Sequence, residues 1–296
     1  MALLPDYVPS YVQYFIAGTS LLTLTFAGLL YSFQCTLIYP ARFPNGSRSV
    51  VSKPSEFGMD YTEEILMTKD GIQLRAYICK LPQNARNRPT VLFFHANAGN
   101  MGHRLPIARK FYTDFKCNVV MLSYRGYGLS EGTPTEKGLR IDSQTILDFI
   151  LKDEDLKSTK LIAYGQSLGG AVSIDLVSRN EDKFSGLILE NTFLSLPKVI
   201  PHVLPQIRYL SFLCHQIWSS EQSIQQIVNI PILFLSGLRD ELVPPSHMRQ
   251  LFELSQTRAT KLWKEFSNGT HNDTVFQFGY FDAIEDFIKK YVIREE

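Results

Sequence analysis

Gly165-Gln166-Ser167-Leu168-Gly169, followed by Gly170, sets one serine between small residues. The run Leu161–Tyr164 before it reads as a strand, and the segment from Gly169 reads as a helix. A turn that tight needs small neighbours, because two backbone segments must approach closely, and it lifts the serine hydroxyl above the sheet. The helix that follows directs its positive end at the same place. A serine hydroxyl becomes a useful nucleophile at neutral pH only with a base, and the base needs an acid to orient it. His202, His215, His247 and His271 follow Ser167. His202 and His215 fall in an irregular region, and His247 starts a helix after Pro244-Pro245. His271 lies in the turn Asn268-Gly269-Thr270-His271-Asn272-Asp273, after the last strand and before the last helix. That position puts an imidazole on the loop side of the sheet, so His271 is the expected base. The acid should follow the preceding strand, where the chain reads Gly237-Leu238-Arg239-Asp240-Glu241. Asp240 is the expected acid. Glu241 is expected to be a solvated charge, and Glu190 to pair with Arg239 or hold a loop.

Attack on a carbonyl also needs two backbone N–H groups for the developing oxyanion. Leu168, after the serine, should supply one. The loop His95-Ala96-Asn97-Ala98-Gly99-Asn100 should supply the other, from Asn97. His95 is expected to bond that loop and to do no proton chemistry. Tyr124-Arg125-Gly126-Tyr127-Gly128 reads as a glycine-rich turn bordering the pocket, since the next helix starts only after Pro134. No G-x-x-x-x-G-K-[ST] or H-E-x-x-H pattern occurs, so neither nucleotide, metal nor other cofactor is expected.

These residues need a scaffold. Strand-like runs fall at Ile65–Thr68, Leu74–Cys79, Val91–His95, Val119–Tyr124, Leu161–Tyr164, Leu187–Glu190, Ile232–Ser236 and Leu262–Phe266. Helical patterns fall at Arg104–Phe115, Glu136–Leu151, Gly169–Ser178, Pro245–Ser255 and Phe281–Tyr291. Apolar strands alternating with amphipathic helices predict a mainly parallel sheet covered on both faces, an α/β architecture. The first two runs, joined at Asp70-Gly71, predict an antiparallel hairpin. Residues 193–229, with Pro197, Pro201 and Pro205, are too many for a plain connection and predict a small helical lid. Residues 42–60 read as a linker, and 61–296 as the catalytic domain.

Residues 1–41 read as a membrane anchor. Val12–Phe33 carries no charge and makes a helix about 33 Å long, enough to cross a bilayer. Tyr11, Tyr14, Tyr31 and Tyr39 sit near its ends, and Pro9 and Pro40 bracket it. A cleaved signal peptide would want a basic leader, but Asp6 precedes the run and no Lys or Arg does. Arg42, Arg48 and Lys53 follow it, which predicts a single-pass protein with a cytosolic domain. The expected membrane is the endoplasmic reticulum or the plasma membrane. The sequons at Asn45, Asn268 and Asn272 are then unused, and a glycan at either of the last two would obstruct His271.

Composition excludes other classes. The net charge of +1 over 296 residues leaves no basic stripe for nucleic acid. The cysteines, Cys35, Cys79, Cys117 and Cys214, match no zinc spacing and no disulfide framework.

Together, HANAGN, YRGYGLSEG, GQSLGG, GLRDELVPP and GTHND resemble the α/β-hydrolase superfamily. More narrowly, they are similar to the group of α/β-hydrolase domain-containing protein 13 and the fungal bud emergence protein 46 homologues. The resemblance implies a mostly parallel eight-stranded sheet, a single membrane pass and a triad of Ser167, Asp240 and His271. The resemblance names no substrate; the triad, with an apolar insertion beside a membrane anchor, leads to the expectation of an ester or thioester hydrolase whose substrate is a small molecule, a lipid or an acylated protein. A serine peptidase and a catalytically idle membrane scaffold are the alternatives. One departure is visible: the group usually reads His-Gly where this chain has His95-Ala96. Either Ala96 has an ordinary backbone here, or the oxyanion hole is reshaped.

Overall fold

The computed structural model describes residues 10–293; Asp6 and Pro9, on which part of the anchor reading rests, lie outside the described residues. Eight strands form one sheet: β1 Thr62–Met67, β2 Gln73–Cys79, β3 Thr90–Phe94, β4 Asn118–Ser123, β5 Leu161–Gln166, β6 Gly186–Glu190, β7 Ile232–Gly237 and β8 Lys261–Phe266. Their spatial order is β1-β2-β4-β3-β5-β6-β7-β8. Only β2 runs against the rest, paired antiparallel with β1 and β4, so the sheet is mostly parallel as expected. Strands β3 to β7 are buried along their whole length, which is why they read as continuous apolar runs and not as alternating ones.

The helices are α1 Ser10–Ile38, α2 Leu105–Thr113, α3 Glu136–Ile150, α4 Leu168–Arg179, α5 Leu196–Val203, α6 Ser220–Ser223, α7 Pro245–Leu254 and α8 Tyr280–Phe287. Two separate apolar clusters, one on each face of the sheet, pack α2, α3, α4, α7 and α8 against it. Helix α3 starts where the Thr135 hydroxyl accepts the Gly138 N–H, a cap visible in the sequence as Thr before Glu.

A buried ion triad holds the glycine-rich turn after β4. The carboxylate of Asp142, fully enclosed, accepts from both the backbone N–H and the Nε of Arg125 at 2.8 Å. Asp70, at the β1–β2 turn, takes the other side of the guanidinium at 2.8 and 3.0 Å. Removing one partner of a buried pair strands the other's charge. Asp142→Ala is therefore expected to cost about 3 kcal/mol, read as a lower urea midpoint. An unchanged midpoint would show that Asp70 alone suffices.

Helix α1 is 29 residues long and contains no charged residue. It has the length and composition of a membrane span, with 6% of its most apolar window buried. The hydroxyls of Thr19, Thr23 and Thr25 donate back to carbonyls one turn earlier, which satisfies them within the helix, as a membrane span requires. At about 1.5 Å per residue the helix is about 43 Å long, more than the roughly 30 Å hydrocarbon core. It runs past Phe33, where the apolar reading stopped, and its last turns dock on the lid. There Gln34 donates to the carbonyl of Leu213 at 3.1 Å and accepts from the His215 N–H at 2.9 Å. The indole of Trp218 donates to the Tyr39 hydroxyl just beyond the helix, at 2.9 Å.

Residues 42–60, read as a linker, lie against the domain and are bonded to it. Gly99 N–H donates to the Phe43 carbonyl, Arg48 to that of Ser130, and Asn100 to those of Ser47 and Val50. Apart from that of Arg48, these bonds end on backbone carbonyls of the segment, and together they hold the residues that follow α1 against the domain.

Candidate active site

Strand β5 enters the sheet's centre and ends at Ser167, where the chain reverses into α4. Ser167 has φ 55° and ψ −117°, a region an L-residue occupies at a cost of about 1–3 kcal/mol. Four hydrogen bonds hold it. Its N–H donates to the Glu190 carbonyl at 2.9 Å, and its carbonyl accepts from Gly170, Ala171 and the Thr192 hydroxyl. The turn closes only because Gly165 and Gly169 lack side chains. A Cβ on Gly165 would lie 2.1 Å from the Gly169 oxygen, and one on Gly169 would lie 2.1 Å from the Phe94 oxygen.

His271 comes from the turn after β8 and Asp240 from the turn after β7. His271 Nδ1 lies 2.7 Å from Asp240 Oδ2, and both side chains are almost wholly enclosed. The other oxygen of Asp240 accepts from the backbone N–H groups of Leu242 and Val243 at 2.9 and 2.7 Å. That fixes the carboxylate plane and leaves Oδ2 for the imidazole. Nδ1 is then the protonated nitrogen of the neutral ring, and Nε2 is left to accept. Ser167 and His271 line one cavity of about 390 Å³.

Asn97 lines the same cavity. Its side-chain oxygen accepts from the Tyr127 hydroxyl at 2.6 Å, and its amide donates to the carbonyl of Ile38 at the end of α1. Tyr127 belongs to the glycine-rich turn, which therefore reaches the site through Asn97. Neither the Leu168 nor the Asn97 backbone N–H has an acceptor among the described residues. Ala96 is absent from the residues with positive φ, so of the two alternatives the ordinary backbone holds. His95 bonds the Ala96 carbonyl at 2.8 Å, and burial pushes its imidazole down to about 3, so it is neutral.

Two acids differ from expectation. Glu241 is exposed, yet its carboxylate accepts the His271 N–H at 3.2 Å and so helps hold the base. Glu190 does not reach Arg239; it lies fully enclosed under the site, where Tyr164 and Tyr280 donate to it at 2.5 and 2.6 Å. Burial pushes its carboxyl up, against the pull of both tyrosines and of Arg104.

Three further residues support the site, and two of them, Asn191 and Arg104, lie outside any motif. Asn191, at φ 45°, donates to the carbonyls of Thr270 and His271 and accepts from Gly237 N–H, tying the ends of β6 and β7 to the histidine turn. Gln166 also donates to the His271 carbonyl, at 3.1 Å. Arg104, read only as a helix start, lines the cavity. An asparagine directly after a strand was the one available signal for Asn191, since Asn tolerates the left-handed region.

Most of the cavity wall is apolar and comes from outside the sheet. Leu30, Leu37 and Ile38 of α1 face Leu196, Val199 and Ile200 of α5 across it, and the kinked stretch Pro205–Leu213 adds more. The end of α1 is thus part of the pocket.

A sequence profile of the alpha/beta hydrolase fold matches residues 89–212. Protein bem46 of Schizosaccharomyces pombe is 49% identical over 90% of this chain and 89% of its own. The chain belongs to the α/β-hydrolase family. The uncharacterized membrane protein YNL320W of Saccharomyces cerevisiae is 42% identical over 93% of this chain and 95% of its own. Among solved structures, the esterase Pf2001 of Pyrococcus furiosus superposes with a TM-score of 0.69 at 17% identity, over 83% of this chain and 96% of its own. That likeness carries the fold alone. The α/β-hydrolase sheet places its loops above the carboxyl ends of the parallel strands, where Ser167, Asp240 and His271 all lie.

Proposed function

We propose that this α/β-hydrolase is a membrane-anchored serine hydrolase that cleaves an ester or thioester with an apolar acyl chain. The cavity carries the reading: Ser167 and His271 open into a space walled by apolar side chains of the anchor and the lid. An acyl chain held there would keep its carbonyl at Ser167.

In this mechanism Ser167 Oγ attacks the carbonyl carbon while His271 Nε2 takes its proton. Asp240 holds the ring in the tautomer that frees Nε2 and stabilises the imidazolium that forms. The N–H groups of Leu168 and Asn97 receive the oxyanion. The tetrahedral intermediate collapses, the leaving alcohol or thiol takes the proton from His271, and Ser167 is left acylated. Water then gives its proton to His271 and its oxygen to the acyl carbon, releasing the acid and restoring the serine. Among the described residues the cavity lining contains no carboxylate to hold a peptide amine, which weighs against the peptidase alternative.

The anchor spans the bilayer once, with the basic residues Arg42, Arg48 and Lys53 and the catalytic domain in the cytosol. Residues 1–41 are the anchor, 42–60 the connecting segment, 61–296 the catalytic domain, and 193–229 its lid.

Labelling by a fluorophosphonate probe tests the activated serine. Wild type is expected to label and Ser167→Ala to lose all labelling. Equal labelling of the two would remove Ser167 from the reaction, and no labelling of folded wild type would favour the scaffold.

A further inference from the structure

We infer that Arg104 binds an anionic group on the substrate, so that the preferred substrate is an acyl ester whose other half carries a phosphate or carboxylate near the scissile bond. This rests on the serine-hydrolase reading above and names the substrate class within it.

The cavity lining holds no Asp, Glu or Lys, and Arg104 supplies the one fixed charge among its described residues. Arg104 is half-buried, and its Nε is shielded from solvent with no hydrogen-bond partner among the described residues. It forms no ion pair there either. A buried Nε–H left without an acceptor is costly, and an acceptor of opposite charge relieves that cost. Its planar fork of donors fits the oxygens of a phosphate or carboxylate.

Position supports the same ligand. The apolar wall comes from α1 and the lid, whereas Ala96, Asn97, Ala98 and Arg104 line the cavity from the domain side. An amphiphile with its chain between anchor and lid therefore presents its other half to the polypeptide that follows β3. A chain-bearing ester at Ser167 would have its alcohol half within that polar side of the cavity.

A structural role is the competing account. Arg104 lies close enough to Glu190 to favour that residue's ionised form. However, the Glu190 oxygens are taken by Tyr164, Tyr280 and Gln166, none of them by Arg104.

The test uses the full-length protein in neutral detergent micelles and three esters of one oleoyl chain: with glycerol, with glycerol 3-phosphate and with glyceric acid. Wild type is expected to prefer at least one anionic ester over the neutral one by roughly 10-fold or more in kcat/KM, carried mainly by KM. The arm that wins distinguishes phosphate from carboxylate. In Arg104→Gln the ratio of anionic to neutral kcat/KM should fall to about 1, and Arg104→Lys should restore part of it. Wild type without preference, or a ratio that survives Arg104→Gln while all three rates fall together, overturns the inference and leaves Arg104 a counter-charge for Glu190. Absence of fluorophosphonate labelling in wild type is a separate result, which takes down the hydrolase reading and this one with it.

Discussion

Asp240→Asn is expected to lower kcat on any ester substrate about 10,000-fold while leaving the fold intact. The reason is a proton on the wrong nitrogen. The Asp240 oxygen facing Leu242 and Val243 accepts two backbone N–H bonds, so an asparagine will keep its own oxygen there. Its NH2 then faces His271 Nδ1, 2.7 Å away, and donates to it. Nδ1 becomes an acceptor, the ring proton moves to Nε2, and the base presents a proton to Ser167 where it needs a lone pair. The imidazolium also loses its counter-charge in an enclosed site. Circular dichroism and melting temperature should match wild type. Activity within 10-fold of wild type would mean that another acid orients His271.

Replacing Gly169 by Val should have the second large effect, on the fold itself. The new Cβ alone would lie 2.1 Å from the Phe94 oxygen and 2.9 Å from that of His95, both backbone atoms at the end of β3. No rotamer relieves such contacts; α4 must lift off the sheet or β3 must shift. Overpacking typically costs about 1–3 kcal/mol, occasionally more, and rigid backbone puts this site at the upper end. A fall in melting temperature of roughly 10 °C follows for a domain of this size. Lifting α4 also moves the Leu168 N–H, so fluorophosphonate labelling should be lost below the melting point. A variant that melts within two degrees of wild type, by roughly the scatter of such measurements, and labels normally would show that the elbow yields.

Much of this was legible because strong local signals coincided. All eight strands and five domain helices fall where apolar runs and amphipathic patterns placed them, and the sheet is mostly parallel. The motif around Ser167 carried its own geometry in two glycines. Asp240 and His271, named from their order after the last strands, come together at 2.7 Å. What the chain concealed was long-range. Gln34 has an uncharged helix around it and nothing that announces a bond to residues some 180 positions later. Residues 42–60 look like solvent-exposed connection, because backbone hydrogen bonds to them leave no trace in side-chain type. Glu190 reads as an acid at a strand end, and only the convergence of Tyr164 and Tyr280 from two other elements turns it inward. Arg104 is one basic residue at a helix start until the lining of the cavity is known.

The docking of α1 on residues 213–218 has a practical consequence. A protein truncated before Arg42, the usual route to a soluble sample, would lose Leu30, Leu37 and Ile38 from one side of the cavity and the Gln34 bonds from the lid. The remaining groove would be open along its length. On the proposed function, short water-soluble esters are expected still to turn over there, with selectivity for chain length flattened. Substrate surveys on such a shortened protein would then describe a generic esterase and miss what α1 adds to the wall of the cavity.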